Sequence, residues 1–364
     1  MPEQAATGGH APRRVRTMPG WLPLVLMTLL MFAVGGYAAG RNSAFYSDFN
    51  LNTLFGPSGA LPLILVAMGQ ANTLMIGCFD ISVGALMTLV VCVGSYILTP
   101  DAAWYTLLFA SIALVGIGVV VGLVNAFLVR KLKLPSIIAT LATLSVTLGI
   151  ALELRPDPGG DINQNWSDTI SASWSWMPYA FIAVLVLAVV WDYWLYRRAG
   201  GLATRAVGLD EISSRRLGAH AERISWRAFV FSSTLAALAG LFLAASEGIG
   251  TAQPGPTSDF ALKSIAAAVL GGASLGGGRG SFVGAVVGGL FLALIVNVLA
   301  LPNIVPSALL DWSDALPQII IGSLTLLALV LYQAPELWTR AQTAWNDSRL
   351  SRARDPKPQP TTGT

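Results

Sequence analysis

Residues 104–129 read WYTLLFASIALVGIGVVVGLVNAFLV, an apolar run with no Asp, Glu, Lys or Arg in it and Asn125 as its most polar member. As a helix it would be about 39 Å long, and roughly 20 such residues already cross a hydrocarbon layer about 30 Å thick. It does not alternate polar with apolar residues, as the strands of a membrane barrel do. Because no water reaches the bilayer core, the backbone must satisfy its own hydrogen bonds, so the stretch reads as a transmembrane helix.

The same reading extends along the chain. Before this run lie apolar segments from Trp21 to Gly40, Leu61 to Phe79 and Ile81 to Leu98, and after it one from Pro135 to Leu154. The second half adds Met177 to Tyr196, Ala228 to Ser246, Ser264 to Leu275, Ser281 to Leu301 and Leu316 to Tyr332. The expected fold class is therefore all-α, a polytopic transmembrane helix bundle of about ten spans. Composition agrees: 54% of the 364 residues are hydrophobic and 11% charged, against about 25% charged in soluble domains. The eighth segment is short and Gly-containing, so it either extends back to Phe260 or is a broken helix, a kind that lines transporter pathways. The first is longer than the apolar part of a secretory signal and lacks a small-residue cleavage site, so it reads as a span. Five spans per half would make any duplicated halves inverted.

Charge sets the expected orientation. With the N-terminus inside, 19 of the 22 Lys and Arg residues fall on the cytoplasmic side, and only Arg41, Arg155 and Lys263 outside. That positive-inside bias puts both termini in the cytoplasm. The chain divides into a cytoplasmic tail (1–20), a transmembrane domain (21–333) with a basic inside loop (197–227), and a second cytoplasmic tail (334–364) whose end reads as disordered. The outside loop from Arg155 to Trp176, with Trp166, Trp174 and Trp176, reads as an interfacial cap too short to be a binding domain. A net charge of +3 without a long basic block excludes a nucleic-acid partner.

Little here suggests an enzyme. His10 and His220 lie in a tail and a loop without nucleophiles or metal ligands at useful spacing. Cys78 and Cys92 sit in or beside apolar runs and read as buried thiols. The stretch Gly271-Gly272-Ala273-Ser274-Leu275-Gly276-Gly277-Gly278-Arg279-Gly280-Ser281 lacks the Gly-Lys-Ser/Thr ending of a phosphate loop. Its glycines suit close helix packing and a sharp turn, with Arg279 inside. Asp80 reads as a cap on the following helix at the cytoplasmic edge, in preference to a proton relay. Gln70, Asn72, Thr73, Asn125, Thr140, Thr143 and Asn297 are neutral polar groups within spans. Singly, each suits interhelical hydrogen bonding; as a set, they suit a neutral, hydroxyl-rich solute, with Asn72, Thr73, Thr140, Thr143 and Asn297 as pathway candidates. In the basic loop, Asp210, Glu211, Ser213 and Ser214 can start a short helix that Gly218 ends. Docking to a cytosolic partner and passive anchoring both fit it.

At these residues the chain resembles, over nearly its whole length, the permease subunits of bacterial ABC importers for ribose, galactose, xylose and related solutes. The family pattern Gly-x-x-Asp-Leu-Ser-Val-Gly appears as Gly77-Cys78-Phe79-Asp80-Ile81-Ser82-Val83-Gly84, Pro-x-x-Ile-Ala-Thr-Leu as Pro135 to Leu141, and a Gly-rich run carrying Gly271, Gly272, Gly277 and Gly278 as Ile265 to Ser281. The resemblance implies a type II ABC importer-like fold in the bacterial inner membrane, among lipid. It also implies a second copy of the chain, a cytosolic ATPase subunit holding ATP and Mg, and a periplasmic solute-binding protein. This chain itself would bind no cofactor. The loop residues Arg205, Ala206, Gly208, Asp210, Arg215, Arg216 and Gly218 would couple it to the ATPase. Departures from the pattern are Ala126, Ala142 and Asp210, with Ala261 and Lys263 where relatives often carry acids. Permeases for nucleosides, branched-chain amino acids or a signalling furanosyl compound share the architecture. An ion-coupled secondary transporter is the rival of another class, against which the scarcity of membrane acids argues.

Overall fold

A computed structural model describes residues 22–252, 259–302, 304, 315–323 and 326. The two expected tails, and most of the tenth segment beyond Ser323, lie outside the described residues. Helices α1 (Leu22–Arg41), α2 (Asp48–Phe55), α3 (Ala60–Met75), α4 (Val83–Ile97), α5 (Trp104–Arg130) and α6 (Ser136–Leu154) form the first half. The second half holds α7 (Gln164–Ile170), α8 (Tyr179–Arg197), α9 (Ala199–Leu209), α10 (Glu211–Arg216), α11 (Ala221–Glu247), α12 (Phe260–Leu270) and α13 (Phe282–Ala300). Four strands of two or three residues qualify the all-helical expectation: β1 (Gly159–Asp161) pairs antiparallel with β4 (Ile249–Gly250), and β2 (Ser173–Trp174) with β3 (Met177–Pro178).

Among the described residues, six helical stretches are long and apolar enough to cross a membrane: 48–75, 104–130, 136–154, 179–197, 221–247 and 282–300. The first of these is α2 and α3 joined through a turn at Gly56 to Gly59. The others among the described helices differ from the expected spans in instructive ways. α4 is a 15-residue helix, and α12 only 11 residues, about half a membrane thickness. α11 begins seven residues before the apolar run from Ala228, because Glu222, Arg223 and Arg227 are helical too; Lys131 at the end of α5 pairs with Glu222 at 2.7 Å.

α11 runs through the middle of the bundle, against α3, α4 and α5. Lipid is as apolar as a leucine side chain, so helices in a membrane gain by approaching closely, and small residues permit it. A Cβ on Gly122 of α5 would stand 2.6 Å from Val230 Cα, and one on Gly69 of α3 2.9 Å from Ser232 Cα. α5, α6 and α8 turn apolar side chains outward, among them Phe109 (67% exposed) and Val146 (62%), which suits a hydrocarbon surrounding rather than water.

The two ends of the bundle differ in character. At one, β1 and β4 join the Arg155 loop to the end of α11, and Trp166 on α7 donates through Nε1 to Ser111 Oγ at 3.0 Å. The Arg155 guanidinium lies 3.8 Å from the Tyr96 ring centroid and donates to Ser95 Oγ at 2.9 Å, pinning the end of α4. The other end gathers α9, α10 and the basic termini of α5, α8 and α11.

Candidate functional site

At that basic end, α3 stops at Met75, whose carbonyl accepts the Gly278 N–H at 2.8 Å. Gly208, one residue before the end of α9, lies against the same place: a Cβ there would overlap the Met75 carbonyl oxygen and stand 2.5 Å from Gly278 N. A Cβ on Gly277 would overlap the Gly208 carbonyl. With φ of +86° and +75°, Gly277 and Gly278 occupy the left-handed region that favours glycine. The backbones of α9, α3 and the turn before α13 thus touch with no side chain between them. Ala206 is half-buried and Arg279 exposed.

Asp210 separates α9 from α10 and caps the latter, accepting from Ile212 N at 2.9 Å, Ser213 N at 3.1 Å and Ser213 Oγ at 2.6 Å. These bonds from Ser213 hold its carboxyl below the usual carboxylate range. Gly218, at φ +88°, follows the helix end. The helix-start residues Asp210 to Ser214 and the stop at Gly218 predict α10 alone; α9, with Gly200 and Gly201 in its first turn, goes unannounced. Glu211 bridges Arg130 of α5 at 3.0 Å and Arg215 at 2.7 Å. Burial pushes the Glu211 carboxyl up, but hydrogen bonds from the two guanidiniums outweigh it and leave it below its ordinary value. Arg215 and Arg216 are exposed, and beside them Leu209 (69%), Ile212 (68%) and Leu217 (87%) face outward. Apolar side chains in a basic surround suit either a protein partner or the membrane surface.

Two residues of α8 hold the start of α13. Tyr196 Oη donates to the Gly280 carbonyl at 2.8 Å. Asp192 accepts from Ser281 Oγ at 2.6 Å, Phe282 N at 2.7 Å and Val283 N at 3.1 Å, satisfying amides that a helix start leaves without internal partners. Sequence reasoning passed over Asp192. The available signal was a lone acid in an apolar span, which must find donors.

In the connection between α3 and α4, Asp80 is fully enclosed by protein. Its Oδ1 accepts from Ser82 Oγ at 2.6 Å and Ser82 N at 3.2 Å, and its Oδ2 from Ser233 Oγ of α11 at 3.4 Å. Ser82 is the residue preceding α4 and makes no side-chain cap bond, so Asp80 ties the α3–α4 connection to α11 instead of capping the first turn. Asn125 Nδ2 donates to Ser82 Oγ at 2.9 Å, adding α5 to the cluster. Gly84 is buried in the first turn of α4.

Most of the pathway candidates are engaged by protein partners. Thr73 donates to Gln70 O, Thr140 to Ser136 O and Thr143 to Ala139 O, each within its own helix and each buried. Asn297 exchanges amide bonds with Asn50 of α2 at 2.9 and 3.2 Å. Asn72, half-buried on α3, keeps its amide free of hydrogen bonds among the described residues. Gly271, at the end of α12, and Gly284 of α13 meet backbone to backbone, and Gly272 turns the chain at φ +95°. Among the described residues, no group of three or more His, Cys, Asp or Glu side chains could hold a metal.

A bundle of long apolar helices with polar groups enclosed between them, and a surface helix pair seated on one end by backbone contact, defines a multi-pass membrane permease. A family model described as branched-chain amino acid transport system / permease component matches residues 52–329, and the chain belongs to that family, as the permease component of an ABC importer. It is 33% identical over 331 residues to an autoinducer 2 import system permease protein LsrC of Enterobacter sp. (strain 638), covering 88% of this chain and 90% of the relative. The LsrC protein of Escherichia coli O157:H7 is 32% identical over 316 residues, 85% of each chain. That of Salmonella paratyphi B is 32% identical over 299 residues, 80% of each. No solved structure matches.

Proposed function

We propose that this chain forms the translocation pathway of an ATP-driven importer for a monosaccharide or a furanosyl compound of similar size. The observation that carries this reading is the end-to-end match to autoinducer 2 import permeases, which leaves no large part of either chain unaccounted for. The chemistry inside the bundle supports it. Its enclosed polar groups are neutral, Asn125, Thr73, Thr140 and Thr143 being held by protein partners, and a single fully enclosed acid, Asp80, stands among the described residues. Of the pathway candidates, Asn72 is the one whose amide is free to meet a solute.

In this reading the chain crosses the bacterial inner membrane ten times with both termini in the cytoplasm. The Lys and Arg bias supports this. Two copies enclose one pathway. The segment 197–227 seats on a cytosolic ATPase subunit through Leu209, Ile212, Leu217, Arg215 and Arg216; ATP and Mg belong to that subunit. A periplasmic binding protein delivers solute to the end that carries α7. Closure of the nucleotide sites moves the segment, and the Gly208 junction passes the movement to α3, so that the bundle alternates its access.

The test is uptake into proteoliposomes holding the tagged chain with the ATPase and binding protein that co-purify from its host membrane. Labelled ribose, galactose, autoinducer 2 and leucine are offered in parallel. ATP-dependent uptake of one of the hydroxylated solutes is expected. Uptake of leucine alone would replace the substrate class, and uptake driven by an ion gradient without any ATPase would replace the mechanism.

A further inference from the structure

Asp192 and Tyr196 stand one turn apart on α8 and between them bond all four residues from Gly280 to Val283. For the stability of α13 alone this is more than is needed, since Ser281 Oγ already accepts the Gly284 N–H at 2.9 Å as a cap. What Asp192 and Tyr196 add is a tie to another helix. The Tyr196 ring has a second partner: the Arg205 guanidinium of α9 lies 4.6 Å from its centroid. Arg205 makes no ion pair among the described residues, so the ring is its recorded electrostatic partner there. α9 follows α8 directly through Arg198, with no loop to absorb a displacement. A stacked cation can slide across a ring, whereas the carboxylate bonds of Asp192 are directional and charge-assisted. One side of the arrangement is therefore firm and the other yielding.

We propose that Asp192 and Tyr196 are positioning residues that convey movement of the α9–α10 segment to the start of α13, the Arg205–Tyr196 stack being the contact that shifts during the cycle. This rests on the reading of that segment as the seat of an ATPase. It adds a second route beside the Gly208 junction, which reaches α3.

The experiment compares wild type with Tyr196→Phe, Asp192→Asn and Arg205→Lys in the reconstituted complex, measuring ATP hydrolysed and solute imported per assembled complex. Tyr193→Phe, on the exposed face of the same helix, is the control. Tyr196→Phe keeps the ring and removes only the bond to Gly280, so it is expected to assemble normally and keep ATPase turnover within about twofold of wild type. Its ATP consumed per solute should rise at least fivefold. An unchanged ratio, or a loss of uptake explained wholly by lost assembly, overturns the proposal. Hydrogen exchange on the purified chain reads the tie without any ATPase: amides of residues 276–283 are expected to exchange at least tenfold faster in Asp192→Asn and Tyr196→Phe. Exchange unchanged in both overturns the tie itself. Faster exchange in a wild-type background that shows no ATP-driven uptake overturns the importer reading and leaves the tie standing.

Discussion

Gly208 has no room for a methyl group, because the atom it would strike is the Met75 carbonyl oxygen, already engaged by Gly278 N–H. Gly208→Ala must push α9 off α3, at a cost of about 1–3 kcal/mol; thermal unfolding in detergent should fall accordingly, and uptake should be lost in whatever chain still folds. Glu211 permits a pH test. Its folded-state carboxyl lies below the ordinary value, so its contribution is full above the unfolded value of about 4.3 and is lost as pH falls through the lowered folded value. Glu211→Gln should therefore melt lower than wild type at pH 7, by an amount corresponding to about 1 kcal/mol for a pair between exposed and buried. The difference should shrink as the melts are moved from pH 7 to about pH 3. A constant difference at both pH values would mean that packing, not charge, is responsible. Gly208 and Glu211 can be singled out from sequence, one through a family resemblance and the other as the acid of a helix start. Asp192 is marked only as a lone acid in an apolar span; its partners are not legible, because its donors lie 89 to 91 positions away and a sequence does not say which helix ends lie side by side.

α12 is the element that departs furthest from a simple span. Its 11 residues descend against α13, where Gly271 meets Gly284 and Ala267 meets Gly288 with backbone in contact. Gly284→Val would drive these helices apart, and the expected outcome is loss of the folded chain, read as failure to elute as a single species in detergent. The amide pair between α2 and α13 makes a gentler test. Asn297→Ala leaves Asn50 Nδ2 with the Phe45 carbonyl, whereas Asn50→Ala removes that bond too, and each should cost about 0.6–2 kcal/mol. The double variant should cost little more than either alone; strict additivity would mean that the amides act separately. The short, Gly-containing eighth run announces an irregular element, since too few apolar residues are present for a full crossing. The sequence allows its start at Phe260, where the structure has it; its end at Leu270 is not legible, because Leu275 is apolar too and the helix stops earlier where Gly271 meets α13 and Gly272 turns the chain.

At the scale of the molecule, apolar runs and charge bias make a membrane bundle and its basic end legible. They do not order the helices, because most faces in a bilayer protein are apolar and periodicity does not distinguish neighbours from lipid; only small residues such as Gly69, Gly118 and Gly122 mark who approaches whom. The proposed topology has a direct check. Single cysteines at Ser175 and Leu217, in a chain with Cys78 and Cys92 replaced by Ala, should label from opposite sides of intact cells and inverted vesicles with a membrane-impermeant maleimide. Labelling of both from one side would overturn the orientation. The Gly208 junction has a further consequence, for genetics. When two side chains collide, a second mutation can shrink one of them and restore the fit. Here the struck atom is a carbonyl oxygen, which all twenty amino acids carry. No replacement of Met75 can make way for a bulkier residue 208, so revertants of a Gly208 defect should be true back-mutations, or changes that reset the position of α9 from elsewhere.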